Sequence, residues 1–269
     1  PIVSSFIVRL LFPTIYFFLL TKNKHLLKYK FTILFFIIFL CLFVVLFSGQ
    51  RISIVFLIIG FFLFLLLNLK YIISKFSLSF KFFKYFIIII SFLLILITAT
   101  LFKLSNNSQY SNRIVDGFKN EFINYVSGES HYAKLHQISY NIYSKNKLFG
   151  SGLKSFRYIC VDDEFTKEKF NTKEICSTHP HNYYIEIIAE TGIIGLALII
   201  IFFIIIIFKY LSYKMKNTIP TYADGYFITF CIFIFPLVPT GSFFSNYNSA
   251  LFWFILSLLI INIHKDRNV

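Results

Sequence analysis

Charge is scarce in this sequence, at 14% of 269 residues, and acid is scarcer still, with 12 Asp and Glu against 26 Lys and Arg. A chain that is 57% hydrophobic and 21% aromatic cannot hide so much apolar surface in one or two soluble domains, so lipid must solvate most of it. Cysteine is sparse too, and the four present include no Cys-x-x-Cys pair, which argues against a zinc site. No internal repeat is visible, unlike the repeated halves of many transporters. Methionine occurs once, at Met215, and no charged segment precedes the first apolar run as a signal peptide requires. Pro1 is therefore not an initiator, and the chain is expected to lack its natural N-terminal part.

What is present are apolar runs of about 17 to 25 residues, the length that crosses a hydrocarbon core of about 30 Å as helix. The expected fold is all-α, a polytopic helical membrane protein with about seven spans, near residues 1–20, 31–47, 52–69, 85–102, 183–208, 225–242 and 249–264. The net charge of +14 does not imply nucleic acid. The cations gather in alternate connections, at Lys22 to Lys30, Lys70 to Lys84, Lys209 to Lys216, and Lys265 with Arg267. That is how the positive-inside rule marks cytoplasmic loops, which set orientation and touch anionic headgroups. With those loops inside, the chain divides into about four helices over 1–102, an external loop over 103–182, and about three helices with an internal C-terminus over 183–269.

A loop of that length in a compact protein is usually functional or structured. From His131 to Lys145, Tyr132, Leu135, Ile138, Ile142 and Tyr143 recur at helical spacing, so an amphipathic helix is expected to lie against the membrane surface. Gly150 and Gly152 then mark a turn before Lys154, Ser155 and Arg157. The string lacks the Gly-x-x-x-x-Gly-Lys spacing of a phosphate loop, which leaves an anion-binding turn or a plain loop with solvated charges. Asp162, Asp163 and Glu164 lack the alternating ligand spacing of a calcium loop and read as a solvated turn. A disulfide between Cys160 and Cys176 is preferred over two free thiols or half a metal site, since an external compartment favours it. Closing a loop of about 15 residues contributes about 3 kcal/mol. Cys41 and Cys231 fall inside apolar runs, as small buried side chains.

The stretch CSTHPHNYYIEIIAETGIIG, from Cys176 to Gly195, concentrates the chemistry. Pro180 holds His179 extended, and Asn182 is a suitable N-cap for the helix opening at Tyr183. His181 is thereby placed at the outer membrane boundary. Glu186 and Glu190 share one helix face, and an ionisable group at that depth marks a functional site by default. Gly192 and Gly195 form a small-x-x-small pair, expected to let another helix approach. Arg51 stands at the outer end of two spans, against the positive-inside trend. A guanidinium there can hold a diphosphate bidentately, and a histidine near its ordinary pKa can serve as base. Together they point to transfer chemistry on a lipid-linked diphosphate.

These residues resemble the O-antigen ligase and polymerase superfamily, bacterial inner-membrane glycosyltransferases. Its signature is similar to His181-Asn182, nine residues, then Gly192-Ile193-Ile194-Gly195. SGQR, ending at Arg51, looks like the family's arginine entry to a span, and LFGSGLKSF looks like its Gly-x-Gly turn. The likeness extends over about residues 31–265, and members usually have more spans than this chain. The resemblance implies an undecaprenyl-diphosphate-linked glycan as donor, a lipid A-core sugar hydroxyl as acceptor, and a site on the periplasmic face of the inner membrane. It implies His181 as general base, with Arg51 and a second arginine on the departing diphosphate. Arg157 is preferred over Arg113 for that second place. Asn182, Glu190, Gly192 and Gly195 would support the site, Glu190 through packing or an arginine instead of His181. No metal or other cofactor is expected. A polymerase joining lipid-linked repeats shares this donor chemistry, as does a protein-glycosylating relative. A transporter lined by Glu186, Glu190 and His181, or a structural assembly subunit, are the readings from other classes.

Overall fold

The computed structural model describes residues 2–22, 24–48, 50–76, 117–162, 175–237 and 239–265. Among these the regular secondary structure is all helical, with no strand. The helices are α1 (Ile2–Leu20), α2 (Lys24–Ser48), α3 (Arg51–Phe76), α4 (Gly117–Val126), α5 (His131–Lys145), α6 (Phe156–Ile159), α7 (Tyr183–Lys216), α8 (Tyr222–Phe233) and α9 (Asn246–Lys265).

Four of them contain stretches long and apolar enough to cross a membrane: Val3–Leu20, Arg51–Tyr71, Tyr183–Lys216 and Asn246–His264. They coincide with the expected spans 1–20, 52–69, 183–208 and 249–264. The expected span 31–47 falls within α2, whose apolar part is the shorter Thr32–Ser48, and 85–102 lies outside the described residues. The expected span 225–242 is corrected. α8 has only 12 residues, which at 1.5 Å each is about 18 Å and too short for a hydrocarbon core. Its C-cap is Ile234, and Pro236 follows at once, with no N–H to continue the helix. Pro236 and Thr240 instead hydrogen-bond to the histidine segment, at Asn182 and His181.

The residues fall into two compact units, with α7 and α9 passing from one to the other. The first comprises Pro1–Phe118, Leu211–Ile234 and Ile255–Val269. Within it α1 packs against α2, α3 and α8, and Phe12, Tyr16, Phe56, Phe230 and Phe233 are fully buried. The close approach has a sequence cause. A Cβ on Gly225 would lie 3.0 Å from the Phe12 carbonyl oxygen and 2.9 Å from the Tyr16 ring, so glycine lets α8 rest on the backbone of α1. Pro13, inside α1, withholds the N–H that Arg9's carbonyl would otherwise receive. The Thr229 hydroxyl donates to that carbonyl at 2.7 Å, which ties α8 to α1 at the break. At the far end of α8, Lys214 pairs with the buried Asp224 at 2.7 Å.

The second unit comprises Lys119–Tyr210 and Phe235–Phe254. One core within it gathers Leu135, Ile138, Ile142, Phe156, Cys160, Ile175 and Ala189. The helix expected over His131–Lys145 is α5, opened by Ser130, whose side chain accepts the Ala133 N–H at 3.0 Å. Its apolar stripe of Leu135, Ile138 and Ile142 packs into this protein core. Cys160 and Cys176 are bridged, with Cα atoms 5.7 Å apart. The bridge joins α6 to the segment that leads into the histidines. Reducing it is expected to cost about 3 kcal/mol of stability. Thermal melting of the purified protein with and without reductant checks this, and identical curves would show that the bridge carries no stability.

Candidate active site

The site in the second unit is built on the first turns of α7. Asn182 caps it, its side-chain oxygen accepting the N–H groups of Tyr184 at 3.0 Å and Ile185 at 3.3 Å, two of the donors that a helix start leaves over. The same amide donates to the Pro236 carbonyl at 2.8 Å. One residue earlier, His181 has φ 59, a left-handed conformation uncommon outside glycine that persists only where the surroundings impose it. Here the Thr240 N–H donates to the His181 carbonyl at 2.7 Å. The turn broken out of α8 therefore holds the histidine backbone in place.

The His181 ring packs edge-on to Tyr132 at 5.6 Å and lies 4.2 Å from His179, centroid to centroid. Its Nε2 is 3.3 Å from the Ser177 hydroxyl. Behind this pair, His136 Nδ1 meets the Tyr125 hydroxyl at 2.9 Å. Burial pushes the His181 pKa below the ordinary histidine value. A hydrogen bond to the Thr240 backbone opposes that shift, and the nearby His131 adds to it. His136 is lowered too, chiefly by burial. His179 is pushed down furthest, to about 4, by burial first and then by the charges of His181 and Arg157, against a hydrogen bond to the Thr240 backbone. The ring of His181 is thus held neutral at neutral pH, the form a base needs.

These shifts fix a pH dependence of stability. Below about pH 6.5 the unfolded chain takes up protons on these histidines that the folded chain does not. Stability present above that pH is therefore lost as pH falls toward 4. The histidine contribution is isolated by melting wild type and His179→Gln side by side, and the variant is expected to lose less stability between about pH 6.5 and 4.

Glu186 and Glu190 are nearly inaccessible, at 2% and 1% exposure, and each carboxylate holds a different segment against α7. Glu186 accepts the Ser242 hydroxyl at 2.5 Å and the Phe243 N–H at 2.6 Å. Glu190 accepts the N–H groups of Lys154 at 2.6 Å and Phe156 at 3.2 Å. Arg157, itself exposed, acts electrostatically on Glu186, Glu190 and His179. Glu190 therefore holds the turn bearing Arg157 against α7, and Glu186 holds the Ser242–Phe243 segment. The contacts of Glu190 are to backbone amides, so its role is to fix that turn.

Gly192 interrupts α7 with φ 67 and ψ −170. The freed backbone groups are taken by the Gly-x-Gly turn: the Ser151 N–H donates to the Ala189 carbonyl at 3.1 Å, and Gly152 to Glu190 at 2.9 Å. In return Ile193 donates to the Lys147 carbonyl at 2.9 Å and Ile194 to Leu148 at 3.3 Å. A Cβ on Gly192 would collide with the Leu148 backbone, and one on Gly150 with the backbone of Glu190 and Thr191. The partner at Gly192 is thus a turn, where the spacing had led us to expect a second helix. Beside Gly195 the nearest atoms belong to Thr191 of its own helix.

Arg51 is the first residue of α3, in the other unit, and is half-buried. Beside it the Ser4 hydroxyl donates to the Gln50 side chain at 2.7 Å and lies 2.8 Å from that of Ser53. Sequence reasoning passed over Arg9, 4% exposed, whose guanidinium lies 4.2 Å from the Phe233 ring, 5.2 Å from Phe56 and 5.3 Å from Phe6. The signal was there, a lone cation inside an apolar span. Ser177, Thr240 and Ser242 were missed as well, and small hydroxyl residues in loops leave no pattern to find. Among the described residues no group of three His, Cys, Asp or Glu is placed to share a metal ion.

No curated protein and no solved structure matches the chain. The family described as O-antigen ligase matches residues 36–200. That stretch, more than half of the sequence, takes in Arg51, the bridged turn, the histidine segment and the break in α7, and the chain belongs to the O-antigen ligase family.

Proposed function

We propose that the chain transfers a glycan from undecaprenyl diphosphate to a sugar hydroxyl of lipid A-core, by a single displacement that inverts the anomeric centre. The observation that carries the reading is the setting of His181. Its ring is kept neutral by burial, and Nε2 already faces one hydroxyl, that of Ser177. An acceptor hydroxyl entering beside Ser177 gives its proton to Nε2 as its oxygen attacks the donor carbon. Arg51 and Arg157 neutralise the charge that grows on the departing diphosphate. The polyprenyl diphosphate is the activated leaving group, so ATP has no part in the step.

The topology proposed is that of the bacterial inner membrane with the site on the periplasmic face. The alternating lysines support it, and so does the Cys160–Cys176 bridge, which belongs in an oxidising compartment. The test is glycan display in a ligase-deficient host carrying the gene, at matched membrane levels of each variant. Wild type is expected to restore polysaccharide on lipid A-core. Arg51→Ala should lose it by about 10²–10³-fold. Arg51→Lys keeps the charge without the bidentate fork and should fall between. Longer lipid-linked repeats, with lipid A-core left bare, would replace this reading by a polymerase.

A further inference from the structure

The apolar stripe of α5 is spent on a protein core, which leaves the exposed apolar side chains after it to account for. The turn that follows α5 presents three: Leu148 is 59% exposed, Phe149 73% and Leu153 65%. Its position is set by covalent and hydrogen-bond geometry. The carbonyls of Lys147 and Leu148 accept the N–H groups of Ile193 and Ile194, where Glu190 and Thr191 of α7 give way to a run without polar side chains as far as Phe208. The turn is therefore pinned beside the start of that uninterrupted apolar run. An open cavity of about 280 Å³ lies there, lined by Lys145, Asn146, Lys147, Leu148 and Phe149. Between Glu129 and Asp162 the sequence carries five cations and no carboxylate, and two of them, Lys145 and Lys147, are exposed directly before the apolar tip.

We infer that the Lys145–Leu153 turn seats in the bilayer interface, with Leu148, Phe149 and Leu153 among the upper acyl chains and Lys145 and Lys147 on the phosphates of anionic phospholipids. Amphipathic surfaces bind membranes through this pairing of apolar tip and basic collar, the lysine stems reaching up while the ammonium groups stay at headgroup level. The inference rests on the membrane location of the chain and is independent of the transfer reaction. Anchoring this turn steadies the neighbouring Gly150–Arg157 segment at the level of lipid headgroups.

The test uses the full chain in phospholipid vesicles that contain no isoprenyl lipid, so that any lipid contact reported is with phospholipid. Trp253, the sole tryptophan, is replaced by Phe, and a single probe is introduced by Phe149→Trp or, on the outward face of α5, by Tyr140→Trp. Lipids brominated on the upper acyl chain are expected to quench the probe at position 149 at least twofold more than the probe at 140. Equal quenching at the two positions would overturn the insertion. In a second arm, spin-labelled phosphatidylglycerol should quench the 149 probe several-fold more than spin-labelled phosphatidylcholine. The Lys145→Gln/Lys147→Gln variant should lose that preference, and its persistence would overturn the assignment of the phosphates to these lysines.

Discussion

Replacing His181 by asparagine is expected to lower glycan transfer by about 10²–10⁴-fold, the range that a positioned general base supplies. Asparagine is the informative substitution because the position is left-handed, with φ 59. Asn tolerates that region better than most residues, whereas alanine would add backbone strain to the loss of the base. The Thr240 N–H bond to the backbone carbonyl survives either change. A variant that melts like wild type and displays no glycan places the ring in the chemistry. A variant with normal display removes His181 from the mechanism.

The second large effect is on stability. Glu190→Ala should destabilise the second unit by about 2–6 kcal/mol, since it strips the acceptor from two backbone N–H groups at about 1–3 kcal/mol each. Those groups, on Lys154 and Phe156, lie in the turn that also fills the break at Gly192, so water cannot readily replace the carboxylate. Glu190→Gln keeps one acceptor oxygen and should cost about half as much. Melting of the purified variants measures the difference. Activity should fall with the alanine variant too, because Arg157 rides on the same turn. If both variants melt like wild type, the carboxylate is not what holds the turn to α7.

What the sequence made legible follows from which forces leave local patterns. The four membrane-length helices announce themselves because lipid demands long apolar runs and backbone bonds closed within each segment. Asn182 could be read as a cap because a cap needs only its own side chain and the two or three residues after it. Glu190 could not be read so fully. Its partners, Lys154 and Phe156, are more than 30 residues earlier, and a backbone N–H has no signature in a side-chain alphabet. The spacing of α5 revealed an apolar stripe but not what covers it, since lipid and protein core select the same residues. Over 225–242 hydrophobicity outweighed Pro236, although proline was the stronger local constraint. Arg9 was lost for the opposite reason, one charge averaged away among apolar neighbours.

The measurement that bears most directly on the central claim is turnover by the purified protein in vesicles. They would hold a polyprenyl-diphosphate glycan and lipid A-core, with nuclear magnetic resonance of the product linkage. The account predicts release of polyprenyl diphosphate matched to transferred glycan, an anomeric configuration opposite to the donor's, and loss of both with His181→Asn. Retained configuration, or equal turnover by the asparagine variant, would contradict a single displacement with His181 as its base.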